Sequence, residues 1–222
     1  DSNRNSYGDS RANNSTNCHP GPNGGAHCDH RADTYGNPHT DGSAYANANS
    51  NRIYVMDTGN HRMQRFTSGG IFLSAWGAEG NGQSQFTDPI GISIGESQTS
   101  VYVLDREVDR LQKLTSVGGF IQMWGSSGSG PGELDSPYGI GIDQSNRQVY
   151  LADTGNNRIQ KFQSTGAFMS EWGSEGDQFN SPMAVAIDGD NSRVYVADML
   201  NNQIKVFNTV GHFVDKWTVG DQ

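Results

Sequence analysis

Residues 149–162 read VYLADTGNNRIQKF. From Val149 to Ala152, aliphatic residues and a tyrosine follow one another without a polar position, as in a strand covered on both faces. Arg158 to Phe162 alternates polar and apolar, as in a half-exposed strand. Between them, Asp153-Thr-Gly-Asn-Asn157 has the residue types of a tight turn, so the stretch predicts a β-hairpin.

The same stretch occurs four times: IYVMDTGNHRMQRF from Ile53, VYVLDREVDRLQKL from Val101, the copy from Val149, and VYVADMLNNQIKVF from Val194. Its aspartates, Asp57, Asp105, Asp153 and Asp198, are spaced by 48, 48 and 45 residues. A tryptophan closes each unit, at Trp76, Trp124, Trp172 and Trp217, and glycine follows the first three. A third strand leads into each tryptophan, as in Ala167 to Trp172. A further strand precedes each tyrosine strand, as in Tyr138 to Asp143 or Met183 to Asp188. Four short strands per unit of about 47 residues is the pattern of a propeller blade.

These units, with their Trp-Gly, acidic glycine-rich loop and following GIAID-like strand, resemble the NHL repeat, and Asn60-His61-Arg62 comes close to its namesake triplet. The resemblance covers residues 51–222. It implies an all-β fold, a β-propeller of NHL-type four-stranded blades with four clear repeats, and leaves a degenerate N-terminal fifth as an alternative. It also implies a platform for protein or RNA ligands, related propellers including lyases and calcium-dependent hydrolases. Propellers of this family usually have six blades, which at about 47 residues each need roughly 282 residues. The 222 residues fall short of that. Five blades, or an open arc whose edges a neighbour covers, are the expectations.

Residues 1–50 differ from the rest. They contain no Val, Ile, Leu, Met, Phe or Trp, and their aromatic residues are Tyr7, Tyr35 and Tyr45. Such a segment cannot bury enough apolar surface to offset roughly 1–2 kcal/mol of backbone entropy per residue. The chain therefore divides into an apolar-poor segment, 1–50, and a propeller, 51–222. The first is either a degenerate blade, since His39-Thr-Asp-Gly42 mirrors Phe86-Thr-Asp-Pro89, or an arm ordered on a neighbouring subunit by strand addition. Cys18 and Cys28 leave open a disulfide, a zinc or copper site with the nearby histidines, or neither. Asn13 and Asn14 each begin a glycosylation sequon.

Overall composition narrows the function classes. Fifteen basic residues face 24 acidic ones, a net charge of −9, which opposes binding to a phosphate backbone. No apolar run of 18 residues exists for a membrane span, and no leader precedes the repeats, so the expectation is a mature chain that does not insert into membranes. The 29 glycines point to many turns.

Within the repeats, Asp57/Arg62, Asp105/Arg110 and Asp153/Arg158 place opposite charges at the two ends of one hairpin, with Gln203 in the arginine position after Asp198. Read structurally, the carboxylate accepts turn amides and the guanidinium ties blade to blade; read functionally, the arginines form an anion-binding ring. The tryptophans are expected at equivalent outer-strand positions, each buried between blades. The loops after them carry Glu79, Glu133, Asp135, Glu175 and Asp177, and fall on the face of the second-to-third strand turns, where binding residues usually sit. Asp188-Gly-Asp-Asn191 is a candidate calcium loop, or more simply a hairpin turn.

The inner strands, Ile90–Ile94, Tyr138–Ile142 and Met183–Ile187, carry no His, Glu, Asp or Cys, and no nucleophile and base are paired, so catalysis is not expected. No catalytic residue, metal site or cofactor is assigned, calcium and zinc being the alternatives. The reading is an extracellular or cell-surface scaffold that presents its loop face to a protein, peptide or glycan. The alternative is a structural subunit of an extracellular filament or other homo-assembly.

Overall fold

A computed structural model describes residues 18–20, 26–28, 52–95, 99–173 and 178–218. Apart from a hairpin of β1 (Cys18–Pro20) and β2 (Ala26–Cys28), these residues form four antiparallel sheets built on one plan. The first sheet contains β3 (Arg52–Asp57), β4 (Arg62–Thr67) and β5 (Phe72–Trp76). The second runs β6 (Pro89–Ile94), β7 (Ser100–Asp105), β8 (Arg110–Thr115) and β9 (Phe120–Trp124). The third runs β10 (Gly139–Asp143), β11 (Gln148–Asp153), β12 (Arg158–Gln163) and β13 (Phe168–Trp172). The fourth runs β14 (Pro182–Asp188), β15 (Arg193–Asp198), β16 (Gln203–Asn208) and β17 (Phe213–Thr218). Strand order follows chain order in each, the meander of a propeller blade.

Local chemistry sets the turns. The residue four positions after each repeat aspartate is left-handed, with φ of 52° at His61, 49° at Asp109, 52° at Asn157 and 52° at Asn202. Asn, Asp and His are the non-glycine residues that best tolerate that conformation, which explains their use there. Each third-to-fourth strand pair then slips register at the same place, between Arg65 and Phe66, Lys113 and Leu114, Lys161 and Phe162, and Val206 and Phe207. Such bulges bend and twist the outer strand.

The core lies between sheets. One face of a blade presents Tyr102, Leu104, Leu111 and Trp124, and the next blade packs Val149, Leu151, Phe162 and the loop residue Leu134 against it. The same layer forms between blades one and two around Met56, Met63 and Phe86, and between blades three and four around Ile159, Phe179 and Phe207. In each layer a tyrosine meets the tryptophan edge-on, with ring centroids 6.2, 6.1 and 6.0 Å apart. The glycine after tryptophan is required by close approach: at Gly77 and Gly125, φ is 109° and 95°, and an added β-carbon would lie within 3 Å of the loop's Phe86 or Leu134.

Trp217 corrects the expectation of four buried tryptophans. Trp76, Trp124 and Trp172 are partly buried against the next blade, whereas Trp217 is 50% exposed. Among the described residues no blade follows β17, so the indole packs on Tyr195 of its own blade and has no glycine turn over it. Nor does β17 end like the other outer strands. Thr218 stands where glycine follows the other tryptophans, and it continues the strand instead of turning.

Candidate functional site

The second-to-third strand turns and the blade-linking loops share one face, and hydrogen bonds interlock them. Gly155 N donates to Asp135 O at 2.9 Å, Asn156 Nδ2 to Gly128 O at 2.8 Å, and Arg106 N to Asp88 O at 3.0 Å. The left-handed residues take part: Ser136 N donates to Asp109 Oδ1, and Ser181 N to Asn157 Oδ1, each at 2.8 Å. This makes the face a rigid platform rather than a set of independent loops.

The repeat charges sit beneath that platform. Arg158 Nε donates to Asp153 Oδ2 at 2.7 Å, with side chains 5% and 0% exposed. Its other nitrogens reach Ser129 O, Gly130 O and Glu133 O of the preceding loop at 2.8, 2.9 and 2.9 Å. Arg110 repeats the arrangement with Asp105 at 3.2 Å and with carbonyls of Asn81 and Gln85. Asp105 and Asp153 also accept amides at Thr87, Asp88 and Asp135. Arg158 also reaches Glu171 Oε2 at 2.8 Å, and although Arg110 Nε has no partner it is buried, so both guanidiniums are turned to the loop they clamp rather than to an external anion.

Sequence reasoning missed the fourth cation. Gln203 follows Asp198 by five residues, and Lys205, at seven, holds Asp198 at 3.0 Å and Gln178 O at 2.8 Å. The seventh position is Gln64, Gln112 or Gln160 in the other copies, so the cation and the amide have exchanged places. That exchange is visible when the four copies are aligned.

The loop acids separate into distinct roles. Glu79 and Asp135 are exposed on the face. Glu133 instead turns inward, its Oε2 accepting Gly130 N at 2.8 Å, as Gln85 Oε1 accepts Gly82 N at 2.9 Å one blade earlier. Glu175 and Asp177 lie outside the described residues, as do Asn13 and Asn14. Backbone pairing sets Cys18 opposite Cys28. Asp188 closes a hairpin turn, accepting Asn191 N at 3.1 Å and Asn191 Nδ2 at 2.8 Å. The Asn191 amides hold its carboxyl below the usual aspartate range. Among the described residues, no group of three or more His, Cys, Asp or Glu is placed to hold a metal ion.

Two turns depart from the repeat, and they carry the side chains that stand out on this face. Thr58 and Thr154 tie their turns to the next inner strand, each hydroxyl donating at 2.7 Å to Pro89 O or Pro182 O. In the second blade, Arg106-Glu107 replaces Thr-Gly. Arg106 pairs with Asp88 at 2.6 Å and lies over the Tyr138 ring at 5.3 Å. In the fourth, Met199-Leu200 replaces it, 47% and 58% exposed. Thr-Gly in two copies against Arg-Glu and Met-Leu in the others was a signal available in the sequence.

Comparison with known proteins agrees with this architecture. The family model described as NHL repeat matches residues 134–162. No curated protein matches the chain in sequence. Among solved structures it is similar to a catalytically inactive virginiamycin B lyase from Staphylococcus aureus with quinupristin, at 14% identity and a TM-score of 0.62, over 92% of this chain and 63% of that one. A streptogramin B lyase is similar at 14% identity and a TM-score of 0.61, over 78% and 53%. A chain of a nidogen/laminin complex is similar at 18% identity and a TM-score of 0.61, over 76% and 59%. The chain spans between about half and two thirds of the length of these three structures. Residues 134–162 therefore match the NHL repeat, and the four described sheets have the fold of β-propeller blades.

Proposed function

We propose that this chain is a non-catalytic protein-binding module, working outside the cell or at its surface, whose loop face holds a protein or peptide. The exposed Met199-Leu200 pair carries the reading. It occupies a turn that in two other blades is a structural Thr-Gly, and large apolar side chains on a rigid rim are the usual anchors of a protein interface. Exposed Glu79 and Asp135 on the same face favour a basic partner. The similarity to a propeller solved in a nidogen/laminin complex supports a protein partner.

The inner strands speak against catalysis. Their titratable residues are Asp143 and Asp188, at the strand ends, and both accept turn amides. The test is a photo-crosslinker at residue 200 in the full chain, exposed to extracellular fluid from its source. One defined protein should be captured, and Met199→Asp with Leu200→Asp should abolish the capture. Capture unaffected by the double substitution, cleavage of a streptogramin B by the purified chain, or retention of single-stranded RNA at about 150 mM salt would each overturn the reading.

A further inference from the structure

The two ends of the described arc are complementary in the residues they present. Between consecutive blades, a tryptophan lies under the glycine of the next blade's third-to-fourth strand turn. Gly118, Gly166 and Gly211 each sit so close to Trp76, Trp124 and Trp172 that a β-carbon would meet the indole at or inside 3.0 Å. The corresponding glycine of the first blade, Gly70, has nothing within 4 Å, and the corresponding tryptophan of the last, Trp217, is half exposed. One end lacks a tryptophan and the other lacks a glycine turn.

The surrounding residues repeat this complementarity. At the trailing end Tyr195, Ala197 and Ile204 stand in register with Tyr150, Ala152 and Ile159, yet are only partly buried where their counterparts are fully so. At the leading end Ile53 and Phe66 are partly exposed where Val149 and Phe162 are not. The clamp is unfilled there too. Arg62 bonds Asp57 through Nε, and its two terminal nitrogens hold no acceptor among the described residues, whereas those of Arg158 take four. A terminal repeat that merely faces solvent carries a polar outer surface. Here both ends keep the apolar pattern of the interior.

We propose that the chain associates head to tail with a second copy of itself, the Trp217 face of one copy packing on the Gly70 face of the next. Two features favour a second copy over a further blade of the same polypeptide. Thr218 replaces the left-handed glycine that launches each described blade-linking loop, and it continues the strand where that glycine turns. Val206 replaces the cation, Arg65, Lys113 or Lys161, that in every internal interface donates to a carbonyl of the next turn, at 2.8, 3.1 and 2.8 Å. The end contact thus keeps the apolar layer and lacks that charged tie, as suits a reversible association. A heterologous contact of this kind gives a ring if the rotation closes and a filament if it does not. The inference does not depend on the loop face.

The full 222-residue chain is followed by sedimentation velocity from about 1 µM to about 100 µM, beside Trp217→Glu and Phe72→Glu, Phe72 being the exposed ring that lies against Phe66 of the leading face at 5.7 Å, with radical footprinting of Trp217. Concentration-dependent association is expected, with protection of Trp217 that appears only in the associated species. Each variant alone should associate at least about tenfold more weakly. Mixed in equal amounts, they should form a heterodimer and nothing larger, because one retains a head and the other a tail. A monomer throughout, with Trp217 open, would overturn the proposal. So would a monomer with Trp217 protected, which would assign its cover to residues 1–51. Association unchanged in either variant, or native material whose intact mass includes further blades beyond Trp217, would overturn it as well.

Discussion

Trp124 and Trp217 occupy equivalent positions in equivalent outer strands, but of Trp124's neighbours only the tyrosine has a counterpart beside Trp217. Trp124 lies under Gly166, beside Tyr102 and Phe162, with its ring edge-on to the tyrosine at 80°. Trp217 lies against the ring of Tyr195, tilted 32°, with half its surface in solvent. The repeat places a tryptophan at this position, and the next blade decides whether it contributes to the core. Burial here is a property of pairs of blades, so stability should vary with the number of neighbours a residue has, even where the sequence is the same.

The clamp offers the sharpest way to break that comparison. Asp153 is fully buried and holds Arg158, Gln160 and Asn156, so Asp153→Ala leaves the buried guanidinium only the partly exposed Glu171 as counter-charge and should cost about 3 kcal/mol. Asp57, paired with an Arg62 whose side chain is 40% exposed, should cost about 1 kcal/mol or less by the same substitution. Urea midpoints of the two variants measure the difference. Equal losses would mean that the first blade is as enclosed as the third.

The tryptophans come next. Trp124→Ala should cost about 3–5 kcal/mol and Trp217→Ala about 1 kcal/mol or less, both measured in dilute monomer. A large effect at Trp217 under those conditions would place a cover on it within the same chain.

The exchanged cation gives a test inside a single blade. Lys205→Gln alone should cost about 2–4 kcal/mol, since it leaves Asp198 buried without a cation. Adding Gln203→Arg to it recreates the pattern of the third blade and should recover most of that loss. Failure to recover would mean that the fourth blade's loop has adapted to a lysine geometry.

The smallest effect concerns pH. The amides of Asn191 lower the Asp188 carboxyl from its ordinary value near 3.8. A carboxyl depressed by folding adds stability above its unfolded value, and that stability is lost as pH falls through the lower folded value. Replacing Asp188 by Asn should therefore reduce the dependence of the urea midpoint on pH slightly below about pH 4, and leave the rest of the curve unchanged.

The strands and hairpins were legible in the sequence because each depends on local chemistry. Alternation marks a strand of VYLAD type, and Asn, Asp or His marks the left-handed turn residue. The Asp-to-Arg spacing of five marked the paired charges, whereas the loop carbonyls around Arg110 and Arg158 are set by how the preceding loop folds. Glu133 was not legible, because whether a loop carboxylate faces solvent or its own backbone depends on the loop's path. Lys205 was hidden by reading one position at a time, whereas the clamp needs one cation within reach of the aspartate and either of two positions supplies it.

The sequence by itself therefore determined a run of four-stranded units of about 47 residues, with a carboxylate clamp and a tryptophan in each, since strand period, turn residues and spacing are set within a few residues of one another. The tertiary structure alone decided which of those repeated residues are buried. A tryptophan leaves water only when the glycine turn of another blade covers it, and whether a blade is present at that place cannot be read from the unit itself.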